Sequence, residues 1–196
     1  SNPFSPRVIV NRIWQRHFGQ GLVATPNDFG RLGEPPSHPE LLDWLTMQFL
    51  NGDWKLKPLH RLIATSATYR QTARREPTTD ENITDADNRL LWRFPPQRLD
   101  AEQIRDAKLA ISGELDRDIG GSSVDGTVPR RSVYVKKRRN TKDPMIGGFD
   151  APSGFSSAPT RITTTTPNQS LMLVNGEWSM KRAETFARQL LGAEDT

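Results

Sequence analysis

The chain has 196 residues, enough for one domain with its own core, and 34% apolar against 26% charged residues marks a folded domain with long polar loops. It has no cysteine, which excludes disulfides, thiolate metal sites, a cysteine nucleophile and covalent c-type haem attachment within it. The net charge of +4 is local: seven of the 27 basic residues lie between Arg130 and Lys142 with no acid among them, leaving 20 basic against 23 acidic residues elsewhere.

In chain order, a first helix is expected from about Pro6 to Phe18, with Val10, Ile13, Trp14 and Phe18 on one apolar face and Gly19 as its stop. Breakers between Gly21 and Pro36 predict an irregular loop. Ser37 and Glu40 have capping-box spacing for a second helix, whose stripe is Leu41, Leu42, Leu45 and Phe49 and whose end is Asn51-Gly52. Pro58 opens a third helix with Leu59, Leu62 and Ile63 inward. Arg74 to Asp87 reads as a polar loop, and Asn88 to Phe94 as a short helix before Pro95-Pro96.

Asp100 and Gln103 have capping spacing for a further helix burying Ile104, Ala107, Ile111 and Leu115. The alternation of Val133, Tyr134 and Val135 makes Ser132–Lys137 the strand candidate. Asn140 to Thr165 shows no periodicity. Thr166-Pro167-Asn168-Gln169 starts another helix, and a last one, from Glu177 to about Leu191, is expected to bury Trp178, Phe186, Leu190 and Ala183. The fold class is therefore mainly α: a helical domain with long irregular loops and a small β element near Ser132–Lys137, occupying 1–196 as a single domain. The abrupt opening at Ser1-Asn2-Pro3-Phe4, close to a helix, is that expected of a C-terminal fragment of a larger protein. No apolar run is long enough to span a bilayer, and no signal peptide is visible.

Candidate chemistry is sparse. His17, His38 and His60 show no ligand spacing, so no metal or cofactor is expected and the three are read as structural or surface residues. There is no G-x-S-x-G elbow and no Walker-type phosphate loop. Asp150 with Arg161, and Asp100 with Arg98, are weak catalytic candidates, because arginine neighbours fix and acidify carboxylates and glycosidases use acid pairs. The competing reading makes Asp100 a helix cap and Asp150–Arg161 a loop pin. Arg130, Arg131, Lys136, Lys137, Arg138 and Arg139 form a ligand-binding candidate for an anionic polymer such as a polysaccharide. Tyr134 is the only aromatic among them, so nucleic acid is not the expected partner. Trp14 and Trp178 are expected in the core, and Trp44 either packed at its edge or partly exposed.

Several strings together carry a family resemblance: Asn2-Pro3-Phe4 with Arg7-Val8-Ile9-Val10-Asn11-Arg12-Ile13-Trp14, Phe18-Gly19-Gln20-Gly21-Leu22-Val23, and Asp28-Phe29-Gly30. They continue with Pro36-Ser37-His38-Pro39-Glu40-Leu41-Leu42-Asp43-Trp44-Leu45, Leu59-His60-Arg61-Leu62-Ile63, Ser66-Ala67-Thr68-Tyr69 and Arg98-Leu99-Asp100-Ala101-Glu102. Arg131-Ser132-Val133-Tyr134, Phe149-Asp150 and Thr165-Thr166-Pro167-Asn168-Gln169-Ser170-Leu171 complete the set. In order and spacing the chain resembles the planctomycete-specific C-terminal domain of unknown function, family 1553. That resemblance implies an exported or cell-surface multidomain parent, with upstream domains that often include cytochrome-c-like ones, and it supplies no catalytic residues. Members often carry Phe-Asp-x-Pro-Asp where this chain has Ser153 in the last position.

The expected role is thus a non-catalytic interaction module that binds the upstream domains of its parent or an anionic polymer. The alternatives are an enzyme acting on polysaccharide by acid–base chemistry, and a docking domain for a cytochrome-c-like domain of the same parent.

Overall fold

The computed structural model describes residues 3–138, 143–152, 155 and 158–193. The fold is mainly α, and the chain divides into two compact units, Ser1–Gln97 and Arg98–Thr196. Both lie within the span read from the sequence as one domain.

In the first unit, α1 (Phe4–Phe18), α2 (Pro39–Asn51) and α3 (Leu56–Ala64) pack on one another. Their expected faces meet in a core of Val10, Trp14, Phe18, Leu22, Val23, Leu42, Leu45, Phe49, Leu59 and Ile63. Each such fully buried side chain contributes about 1.5–3 kcal/mol of transfer free energy. Asn11 lies inside this core because each of its polar atoms has a partner: its Nδ2 donates to Val23 O at 3.0 Å and its Oδ1 accepts from Val23 N at 2.8 Å. That clamp closes the loop after α1. It also requires Gly21, since a Cβ there would stand 2.6 Å from Val23 O.

Two local details differ from expectation in this unit. The N-cap of α2 is His38 with no side-chain cap bond, and Ser37 Oγ instead meets His38 Nδ1 at 2.9 Å. A short helix, α4 (Thr79–Thr84), interrupts the expected polar loop, started by a Thr78–Glu81 capping box. Asn88–Phe94 is a turn, not a helix. Asn88 and Leu91 take left-handed φ of 55° and 61°, and the Asn88 amide brackets Arg93 through its O and N.

The second unit contains α5 (Ala101–Ile111), a 3-10 turn (Ser132–Tyr134), α6 (Pro144–Gly147), α7 (Pro167–Asn175) and α8 (Glu177–Ala193). Its interior is polar where the first unit's is apolar. The buried face of α5 is Ala101, Arg105, Leu109 and Ser112; Ile104 is half-buried, and Ala107 and Ile111 are exposed, so the expected face is rotated. The cause is Arg105. Its Nη1 donates to Arg130 O and Ser132 Oγ at 2.7 and 3.2 Å, and its Nη2 to Gly126 O and Val128 O at 2.9 and 2.7 Å. Those bonds require the guanidinium to be inside.

The expected strand at Ser132–Lys137 is a 3-10 turn followed by an isolated bridge, Val124 to Val135. Asp106 Oδ1 accepts from both Ser132 N and Ser132 Oγ, at 2.7 and 2.6 Å, and this bends the chain where a strand would continue straight. No helix among the described residues is long and apolar enough to cross a membrane.

Candidate functional site

The four acid–arginine candidates fall on one polar network in the second unit, and its centre is a residue that sequence reasoning did not single out. Gln169 is buried in the first turn of α7. Its Oε1 accepts from Arg98 Nη2 at 2.9 Å, and its Nε2 donates to Gly148 O, Asp150 Oδ2 and Thr164 Oγ1 at 3.2, 3.3 and 3.3 Å. Arg98 also donates to Thr164 O and Thr165 Oγ1, and its guanidinium stands over the Phe149 ring.

Asp150 holds a left-handed φ of 55°, which aspartate tolerates. Its Oδ2 accepts from Thr164 N at 2.8 Å and Thr164 Oγ1 at 2.7 Å. These Thr164 bonds, with Gln169 and the charge of Arg98 behind them, hold its carboxyl below the ordinary aspartate range. Such a group stays ionised and cannot serve as a general acid at neutral pH.

Arg161 Nη1 pairs with Glu102 at 2.6 Å, its Nε lies 3.5 Å from Asp100 Oδ1, and its Nη2 donates to Phe149 O at 3.2 Å. Asp100 precedes α5 at its N-terminus, where Gln103 Oε1 accepts from its N–H at 2.8 Å. All four candidates thus tie the irregular stretch between α5 and α7 to those helices.

The basic candidates separate into two kinds. Arg130 is committed: it donates to Asp118 O, Gly120 O and Ser122 O, lies 3.6 Å from Asp116, and covers the Tyr134 ring at 4.2 Å. Arg131 is exposed, and Lys136 makes one loose pair with Asp125 at 3.8 Å. Lys137 and Arg138 are exposed, and with Lys136 they line a cavity of about 100 Å³ whose other wall includes Glu102, Asp143 and Ile146. Arg139 and Ser153 lie outside the described residues.

A second surface was not legible in the sequence. α8 turns two polar residues inward and keeps Lys181, Glu184 and Arg188 exposed. Ser179 and Arg182 are buried: Ser179 Oγ accepts from Lys108 Nζ at 2.7 Å, and Arg182 Nη2 pairs with Glu114 at 3.2 Å. Farther along, Gln189 Nε2 donates to Ser112 O at 2.9 Å, passing so close to Gly113 that a Cβ there would stand 2.3 Å from it. The opposite stripe, Met180, Ala183, Ala187, Leu190 and Leu191 with Phe186 beside it, is exposed. Trp178 is half-buried against Arg182, whereas Phe186, Leu190 and Ala183 are not buried as expected. The helix thus packs through Ser179 and Arg182, and both its charged face and its apolar stripe are exposed.

In the first unit the structure joins two histidines that are 43 residues apart. His17 Nε2 lies 2.8 Å from His60 Nδ1, and the edge of the Tyr69 ring meets the His17 ring at 5.4 Å. Burial first, and His60 second, lowers the pKa of His17.

A family model described as PSD1, Protein of unknown function (DUF1553), matches residues 1–196. The chain belongs to this family. No curated protein and no solved structure matches it. The family match spans both compact units, so the polar network, the basic segment around Lys136 and α8 all belong to the matched region.

Proposed function

We propose that this chain is a non-catalytic interaction module that docks a neighbouring domain of its parent protein on the exposed stripe of α8. One observation carries the reading: α8 packs through Ser179 and Arg182 and leaves an apolar stripe outside beside its exposed Lys181, Glu184 and Arg188, with Leu190 and Leu191 55% and 66% exposed. A contiguous apolar surface of that kind marks an interaction site, because covering it releases about 25 cal/mol per Å². The commitment of Asp150, Asp100, Arg161 and Arg98 to holding loops supports a binding role over acid–base catalysis. Under this reading the parent is exported and multidomain, and a cytochrome-c-like domain is one candidate occupant.

A second reading rests on Lys136, Lys137 and Arg138, whose exposed cations line one cavity. That arrangement suits sulfate or carboxylate groups of an anionic polysaccharide.

Amide exchange across α8 tests the first reading, comparing the 196-residue chain with a longer chain that carries the proposed neighbouring domain. Slower exchange at 183–191 in the longer protein supports docking; equal exchange removes the neighbouring domain as occupant.

A further inference from the structure

The structure assigns His17 and His60 as a two-imidazole site for a late first-row divalent cation, with Cu²⁺ the tightest-bound. The site lies in the first unit and is independent of the docking role of α8.

Three observations carry it. The first is distance: His17 Nε2 and His60 Nδ1 are 2.8 Å apart. Metal–imidazole bonds of about 2.0–2.1 Å place two neighbouring nitrogens about 2.8–3.4 Å apart, the short end for a square arrangement and the long end for a tetrahedral one. An ion about 2.0 Å from each nitrogen would sit about 1.4 Å off the line between them, so binding replaces the hydrogen bond and each ring pivots toward the ion. The second is rigidity. His17 is in the last turn of α1 and His60 is inside α3, and these helices pack on one another. The Tyr69 ring packs near-perpendicular to the His17, Phe18 and Phe94 rings, which fixes the wall beside His17. The third is access: His60 is exposed and His17 half-exposed, so water can fill the remaining positions.

No third histidine, cysteine or carboxylate joins them among the described residues. The ion is therefore bound by the protein at two positions only. Imidazole ligands with water favour Cu²⁺ and Ni²⁺ in a tetragonal arrangement over the oxygen-seeking Mg²⁺ and Ca²⁺. The sequence does not announce this site, because the two residues belong to different helices and lack the i, i+4 spacing of a one-helix pair.

Titration calorimetry of the 196-residue chain with CuCl₂ and NiCl₂ tests the assignment, with His17→Gln, His60→Gln and His38→Gln as variants. The wild type is expected to bind one ion. Loss of an outer-shell partner alone costs about 10–100-fold in affinity, so loss of either His17 or His60 is expected to cost at least that, with His38→Gln unchanged. Absence of binding in the wild type, or affinity unchanged in both the His17 and the His60 variant, overturns it. If either variant loses helical circular dichroism, electron paramagnetic resonance of the wild type with one equivalent of Cu²⁺ decides. Hyperfine coupling to two imidazole nitrogens is expected, and a spectrum with none or one refutes the pair.

Discussion

Replacing Arg105 by Met keeps most of the buried stem and removes the guanidinium. Arg105 is 1% exposed and is the shared donor for Gly126 O, Val128 O, Arg130 O and Ser132 Oγ. Asp106, 3.6 Å away, loses its cation as well. A hydrogen bond to a charged group contributes about 1.5–3 kcal/mol, but four sharing one group do not add. The desolvation cost of the guanidinium, which also lowers its pKa, offsets part of the gain. Breaking a buried ionic arrangement by removing one partner costs about 3–5 kcal/mol, which sets the expected loss. For a unit of this size that lowers the melting temperature by more than about 10 °C. Urea unfolding read by Trp178 fluorescence, in a background where Trp14, Trp44, Trp54 and Trp92 are replaced by Phe, measures it. Amide exchange should also rise across 116–132, where the freed carbonyls lie. A loss below about 1 kcal/mol would refute the claim that a buried cation organises the second unit.

Asn11→Leu should destabilise the first unit by about 2–4 kcal/mol in thermal unfolding, because it leaves Val23 N–H and C=O buried without partners. Gly21→Ala should cost about 1–3 kcal/mol in the same assay, since its Cβ would collide with Val23 O and the Asn11 amide. Asp150 makes the second unit acid-sensitive. Its folded pKa is depressed, so its contribution is present above the unfolded aspartate value and fades as pH falls through the lower folded one. The Thr164 amide proton shift should follow that titration in wild type and stay flat in Asp150→Asn.

The sequence announced the first unit better than the second, and the reason is physical. Val10, Trp14, Leu42, Leu45 and Phe49 recur at helical spacing and their partners are also apolar, so hydrophobic period and burial agree. In α5 and α8 they do not. Arg105, Lys108 and Arg182 are drawn inward by carbonyls and a carboxylate contributed from distant positions, and no periodicity within the helix carries that information. Two of the three capping signals are found: Asp100–Gln103 and Thr166–Gln169 start helices where their spacing said, whereas Ser37–Glu40 gives way to His38 as N-cap. The role of Gln169 at the centre of the network was hidden by that same capping role. His17 and His60 meet only because α1 packs on α3.

Placing a single thiol at Leu190 tests the central claim most directly, because the chain has no cysteine of its own. Leu190→Cys should react with a maleimide at the rate of a free thiol in the 196-residue chain and markedly more slowly in a chain that also carries the proposed neighbouring domain. Leu109→Cys, at a position 1% exposed, should be protected in both. Slow labelling of Leu190→Cys in the shorter chain would mean that the α8 stripe is already covered, and equally fast labelling in both would mean that no neighbouring domain docks there.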